Sequence, residues 1–411
     1  MLSRFQSLSV YGLNCPSEEC LRAALCNEAM TASIKTNETL LQQQIQGIQA
    51  DPRKPRQVVA AMSGGVDSSV AAYLMKQAGV EVIGVTLRLR PCSEDQPEQR
   101  KACCGAEDSL HARVTASRIG IDHYFLDYQK EFFEEILTTA WKEYSRGRTP
   151  NPCVLCNRFL KFGRLVQYAE QIGADGIVTG HYARILPLPD REGIGLFRGI
   201  DPVKDQSYFL FGIEREVLAR CWFPLGSLEK KDVRALARVI GLSNAEKRES
   251  QDACFGVPGE SFADTLRRLF NEKRVLGNFV DETGKVLGPH TGIHNYTLGQ
   301  RRGLNVALGK RLYVSRIDPE TGTIVLSSEE EALRRSSLEA EGVNWLDPFF
   351  RERPFKGEVQ VRYTQHPVPG EISPSEEGIR IQFKEPIRAI TPGQAAVVYK
   401  GEEVICGGWI R

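Results

Sequence analysis

The sequence predicts an α/β protein, with a helix-wrapped parallel sheet followed by smaller β-rich domains. Three observations predict this. From Gln57 to Thr179 apolar strand patterns alternate with helical ones, the signature of a parallel sheet covered on both faces. Near its start, Val58 to Val70 reads VVAAMSGGVDSSV: a strand, a glycine turn and an amphipathic helix in that order. Beyond about residue 255 the texture changes to short strands set off by turn signals at Asp281–Gly284, Asp318–Gly322, Pro392–Gly393 and Lys400–Gly401.

Taken in order, residues 1–55 carry no sustained periodicity and read as a flexible, dispensable extension. Within them Thr36–Gly47 suits one short helix, and Asp51–Arg56 reads as a linker. Glu18, Glu19, Glu28 and Glu38 argue against a transit peptide, and no apolar core suggests a signal peptide. No apolar run approaches the ~18 residues of a membrane span. A soluble protein without a membrane partner is therefore expected; a cytoplasmic location and a monomeric state are further expectations. Residues 56–255 form the expected catalytic unit. Its strands are expected at Val80–Leu87, Asp122–Leu126 and Gly176–Thr179, and its helices at Ala106–Ile119, Gln129–Tyr144 and Phe159–Ile172. Helical patterns at Leu228–Ile240 and Ser261–Phe270 precede the β-rich region, divided into a central unit at 256–338 and a last one at 339–411. The chain of 411 residues is long enough for several cores. Its net charge of +1 advertises no global attraction for nucleic acid, so any such surface must be local.

The strand–turn–helix at Ser63–Ser69 is an anion site: N–H groups of the turn and the helix dipole converge on one spot. Gly64 and Gly65 admit a phosphate without a Cβ in the way. Ser68 adds a hydroxyl, and Asp67 can hold a magnesium ion beside the phosphates. The lysine ending of a Walker loop is missing. The stretch instead resembles the PP-loop, the SGGxDS signature of ATP pyrophosphatases, which leave AMP on a substrate oxygen. That resemblance implies an ATP site made of Ala61, Met62, Ser63, Gly64, Gly65, Val66, Asp67 and Ser68, joined by Leu87 and Gly180 from neighbouring strand ends.

The eleven cysteines are spaced more like reactive or metal-binding thiols than like a secreted disulfide framework. In Gly147–Asn157 (GRTPNPCVLCN) two prolines and two asparagines place Cys153 and Cys156 in a loop or at the start of the following helix, a setting that favours thiolate. Cys254, in Ser250–Phe255 (SQDACF), has a similarly polar setting.

SGGVDSS, TPNPxxxCN, TGHYAR (Thr179–Arg184), KDQSYFL (Lys204–Leu210), SQDxCF, YTLGQRRGL (Tyr296–Leu304), VRYTQ (Val361–Gln365) and TPGQAAVVY (Thr391–Tyr399) occur in that order. Together they resemble the tRNA-specific 2-thiouridylase family over nearly everything from Gln57 onward. The resemblance implies a PP-loop catalytic domain of the adenine nucleotide alpha hydrolase type, a small central domain and a C-terminal β-barrel. It implies ATP- and magnesium-dependent thiolation of the tRNA wobble uridine, with Cys156 and Cys254 catalytic and a protein donating the sulfur. It also implies tRNA contacts by Asn151, Pro152, Cys153, Lys204, Asp205, Gln206, Arg362 and Tyr363. Some relatives carry aspartate at the position of Cys153. With cysteine there, Cys153, Cys156 and Cys254 are also a set for a [4Fe-4S] cluster with one open iron, or for zinc with a fourth ligand. Sulfur transfer by a persulfide and by a cluster-bound sulfide both stand on the sequence. Other PP-loop synthetases need no such cysteines, cytidine-thiolating tRNA enzymes have different cysteine contexts, and a non-catalytic RNA-binding module would not need an intact Ser63, Asp67 and Ser68.

Overall fold

The computed structural model describes residues 35–90, 106–247, 260–306 and 309–411. The first sheet contains β1 (Gln57–Ala61), β2 (Glu81–Arg88), β3 (His123–Asp127), β4 (Gly176–Val178) and, after the hairpin described below, β7 (Cys221–Trp222). The order is β3-β2-β1-β4-β7, parallel throughout. Val58, Val59 and Ala60 are buried on both faces of β1, as a central parallel strand requires. The chain runs outward from β1 to β2 and β3, then returns to β4 on the other side of β1. That reversal opens a crevice at the carboxyl ends of β1 and β4, where ligands bind in sheets of this kind. Met62–Asp67 and Thr179–His181 both emerge there.

Of the region expected to be a loose extension, residues 1–34 lie outside the described residues, and the remainder is packed. A helix over residues 35–50 buries Leu41 and Ile45 in the same apolar cluster as Val70, Leu74, Val233 and Leu236. Arg53 then fastens the linker by donating to Asp51 (3.0 Å) and to the Ile185 carbonyl (3.3 Å). Leu41 and Ile45, four residues apart, were the available signal among many glutamines. Truncation to Arg53 is expected to cost about 3 kcal/mol of stability, from two lost apolar side chains. Urea unfolding of the shortened chain checks this; an unchanged midpoint would show that the helix adds nothing.

The barrel is built from β12 (Arg334–Trp345), β13 (Phe355–Gln360), β14 (Val368–Ser375), β15 (Gly378–Arg388), β16 (Ala395–Lys400) and β17 (Glu403–Ile410). Its order β12-β15-β14-β13-β16-β17 is closed by pairing of β12 with β17, which removes the sheet edges. Its first strand begins at Arg334, ahead of the expected boundary at 339. A hairpin from the catalytic region, β5 (Ala183–Pro187) and β6 (Ile194–Arg198), adds to this sheet where Phe197 pairs with Glu403. The catalytic domain and the barrel therefore share one eight-stranded sheet.

The central domain has β8 (Gly277–Val280), β9 (Val286–His290), β10 (Tyr313–Asp318) and β11 (Thr323–Ser327) around Phe279, Ile293, Val314 and Ile324. The helix Phe262–Leu269 that precedes it starts at the capping Ser261 and packs Leu266 against Phe132, Leu137 and Ala140 of the catalytic domain. Among the described residues, no helix is long and apolar enough to cross a membrane.

Candidate active site

At the end of β1 the Met62 amide donates to the Val85 carbonyl (2.8 Å), carrying the strand pairing into the turn. The Ser63 amide donates to Ser68 Oγ (3.2 Å), and Ser68 and Ser69 donate back to the Gly65 carbonyl (3.1 and 2.8 Å). Gly65 precedes the helix Val66–Gln77, whose first N–H groups have no acceptor within the helix and face the turn. Gly64 has φ +75°, and a Cβ there would lie 2.3 Å from the Asp108 carbonyl oxygen, so the cradle requires glycine. Gly180 packs so tightly on the helix start that a Cβ would stand 2.6 Å from the Asp67 carbonyl carbon. Ala61 ends β1, while Met62 and Val66 are buried beneath the turn.

Asp67 faces the crevice with 30 % of its side chain exposed, and both carboxylate oxygens lie 2.7 Å from Lys230 Nζ. Tyr182 donates its hydroxyl to Asp67 Oδ1 at 2.8 Å. Lys230 opens the helix Lys230–Ile240, where a reciprocal cap between Glu229 and Asp232 sets its direction. Sequence reasoning missed Lys230, because nothing near it in the chain announces a partner in the glycine turn. Asn244, also missed, donates to the Gly64 carbonyl (3.2 Å) and to Ser69 Oγ (3.0 Å), bracing the turn from behind. A turn that needs glycine at position 64, free N–H donors at a helix start and an adjacent ammonium fit a polyphosphate. The Asp67 carboxylate is an oxygen donor of the kind a magnesium ion takes, and in this structure both of its oxygens are engaged by Lys230.

The cysteine segment takes the second of its two expected settings. Asn151 caps the helix Pro152–Cys156 by accepting from the Val154 amide (3.4 Å), and Pro152 occupies the first turn, where its missing N–H costs nothing. The helix continues through π-helical turns at Asn157–Arg164 into Leu165–Gln171. A second π-helical stretch, Phe132–Leu137, lies alongside, and Arg164 and Glu135 pair between the two at 2.7 Å. Such turns are rare and frequent at functional sites. Cys153 is exposed, whereas Cys156 is 8 % exposed among Phe132, Leu137, Leu160 and Leu266. Leu87, near the carboxyl end of β2, packs against this cluster and against the one containing Val59 and Val154. The cysteine helix and the glycine cradle thus border the same rim of the sheet. Cys254 lies outside the described residues.

The residues expected to meet tRNA divide. Tyr363 is 36 % exposed, with its ring 4.4 Å from that of Phe209. Lys204 is half-buried. Asp205 accepts from Arg198, the Gly199 amide, and the amide and hydroxyl of Ser207, all within 3.1 Å. Gln206 accepts from the Tyr182 amide and donates its own amide to the Tyr182 carbonyl. Arg362 donates to the carbonyls of Leu298 (3.0 Å) and Ala389 (2.9 Å) and to the Thr391 hydroxyl. What the structure shows for Asp205, Gln206 and Arg362 is a part in the protein's own framework.

Residues 56–257 match the family described as a tRNA methyl transferase HUP domain, 263–328 its PRC-barrel domain, and 335–410 an aminomethyltransferase beta-barrel domain. A tRNA-specific 2-thiouridylase MnmA of Carboxydothermus hydrogenoformans is 43 % identical over 360 residues, covering 87 % of this chain and 98 % of its own. Those of Geobacter metallireducens and Thermus thermophilus are each 44 % identical, covering 86 % and 87 % of this chain and 96 % and 95 % of theirs. The chain belongs to the tRNA-specific 2-thiouridylase family. The three matched regions of the thiouridylase chain coincide with the parallel sheet, the central domain and the closed barrel.

His181, in the turn after β4, bonds through Nδ1 to the Thr179 hydroxyl (2.7 Å) and lies against Phe162 and Phe223. Burial, reinforced by Lys161, holds its imidazole neutral by pushing its pKa well below the usual range. The unfolded chain would protonate this group near pH ~6.5, whereas the folded chain does not. Stability is therefore full above that pH and falls as the pH drops toward the depressed folded value. Urea unfolding at pH 7.5 and 5.5 is expected to show a loss at the lower pH that shrinks in His181→Asn; an equal loss in both proteins would assign the acid sensitivity elsewhere.

Proposed function

We propose that this chain thiolates the wobble uridine of tRNA at C2, using ATP to activate the C2 oxygen. The supporting observation is the shared rim: a phosphate cradle ending in Asp67 at the end of β1, and a helix bearing Cys153 and Cys156 whose apolar cluster takes in Leu87 near the end of the adjacent β2. A uridine C2 carbonyl is a weak electrophile without a leaving group. Transfer of AMP to its oxygen, with release of pyrophosphate, creates one. Gly64, Gly65 and the helix start hold the phosphates, and Lys230 stands beside Asp67 to offset charge on the departing pyrophosphate. Magnesium bound at Asp67 would supply further charge neutralisation.

Sulfur then arrives as a persulfide on Cys254, charged by a sulfur-donating protein. The terminal sulfur attacks C2 and AMP leaves. The Cys156 thiolate attacks the Cys254 sulfur and breaks the S–S bond, so its electron pair stays on the base as 2-thiouridine. A Cys156–Cys254 disulfide remains, and an external thiol reduces it with two electrons. Arg362 and Gln206 support this site from within the framework, while Tyr363 offers a ring to a splayed base and Lys204 a charge to phosphate.

The test is pyrophosphate release from ATP with and without unmodified tRNA, followed by detection of 2-thiouridine after addition of a persulfide donor. Release that depends on tRNA, and thiolation that depends on both, are expected. Activation of a small carboxylate or amide substrate without tRNA would overturn the reading.

A further inference from the structure

We propose that Gln394, in the barrel loop between β15 and β16, is a positioning residue for the sulfur-transfer step: it holds the segment that displays Cys156. The proposal rests on the thiol chemistry inferred above. Gln394 Nε2 donates to two consecutive carbonyls, those of Thr149 (3.0 Å) and Pro150 (3.1 Å). The next residue is Asn151, whose side chain caps the cysteine helix. The Thr149 amide donates to the Pro392 carbonyl (2.9 Å), so the barrel loop engages both polar backbone atoms of Thr149. Gly393 has φ +87° and approaches so closely that a Cβ would lie 2.9 Å from the Thr149 oxygen.

The loop making these contacts is anchored in turn. The Gly393 amide donates to the Ile410 carbonyl (2.9 Å), and the Ile410 amide donates to the Gln394 carbonyl (2.8 Å). Arg148, just ahead of the held segment, donates to that same Ile410 carbonyl (3.0 Å) and pairs with Glu143 (2.8 Å). The central domain joins through the hydroxyls of Thr149 and Thr297 (3.2 Å), next to the Leu298 carbonyl that Arg362 holds. Three domains therefore meet on the two residues that lead into the cysteine helix. Residues of two sequence motifs, TPGQAAVVY and YTLGQRRGL, take part in this junction. One amide bridging two carbonyls fixes both the position and the direction of the segment, because neither peptide can rotate without losing a bond. An attacking thiol needs that restraint, since a misplacement of about 1 Å can cost about a hundredfold in rate.

The test uses the full chain with Gln394→Met, which keeps length and volume and removes the donor. Single-turnover thiolation is expected to fall about tenfold or more. Pyrophosphate release and tRNA affinity should stay within about twofold, while alkylation of the buried Cys156 by iodoacetamide, followed by peptide mass mapping, speeds up about fivefold as the segment loosens. Unchanged thiolation and alkylation in the folded variant would overturn the proposal. So would a loss of tRNA affinity in proportion to thiolation, which would make Gln394 an RNA contact. If the methionine variant does not fold, Gln394→Glu, whose carboxylate would face two carbonyls, is expected to show the same split and is judged by the same outcomes. Alkylation needs no catalysis, so it reports on the segment even if Cys156→Ala thiolates normally and the thiol reading itself fails.

Discussion

Cys156→Ala is expected to abolish 2-thiouridine formation, by at least a thousandfold on the reading above, while tRNA-dependent pyrophosphate release continues. The side chain is small and sits in an apolar cluster, so losing its sulfur costs about 1 kcal/mol and leaves the fold intact. Cys254→Ala should behave alike. Cys153 discriminates between the two ways of carrying sulfur. It stands exposed one helical turn before Cys156, and the persulfide route gives it no bond to make. Cys153→Ala and Cys153→Asp should then thiolate at nearly the wild-type rate. A cluster held by three cysteines would lose its iron with Cys153→Ala and retain part of it with Cys153→Asp, whose oxygen can still bind iron. Thiolation by anaerobically purified variants, with iron counted in each, separates the two. A Cys153→Ala protein lacking both iron and activity would replace persulfide transfer with cluster chemistry.

Asp67→Ala is expected to fold and to lose pyrophosphate release by about a hundredfold to a thousandfold, the scale of removing one group that stabilises charge in the transition state. The structure adds a qualification that the glycine motif did not contain. Asp67 neutralises Lys230, whose side chain is only 11 % exposed, so the alanine variant leaves an ammonium without that partner. Asp67→Asn keeps the shape and an acceptor for the Tyr182 hydroxyl, and is expected to be the more stable of the two while equally slow. Rates measured beside urea midpoints for both variants check this. Near wild-type pyrophosphate release from either would remove Asp67 from the chemistry.

Features written in neighbouring residues were legible in the sequence itself. The glycine turn, its strand and its helix follow from residues within a few positions of one another. So does the start at Ser261 of the helix Phe262–Leu269, because a cap is a hydrogen bond between near neighbours in the chain; the equally local cap by Asn151 was not read from the sequence. The parallel sheet followed from alternation of strand and helix patterns, and its crevice from where the turns fall along that alternation. The order of motifs carried the family.

Tertiary structure alone decided which distant residues meet. Lys230 reaches Asp67 across 163 positions, and Gln394 reaches Thr149 across 245. It joined the hairpin of β5 and β6 to the barrel, packed the helix over residues 35–50 onto the core, and turned Asp205, Gln206 and Arg362 toward the protein's own backbone. The physical reason is the same in each case. A glutamine or arginine carries the same donors whether it faces RNA, water or a carbonyl of its own chain. What selects among them is the closure of long loops by the packing of whole domains, to which no local pattern in the sequence is tied.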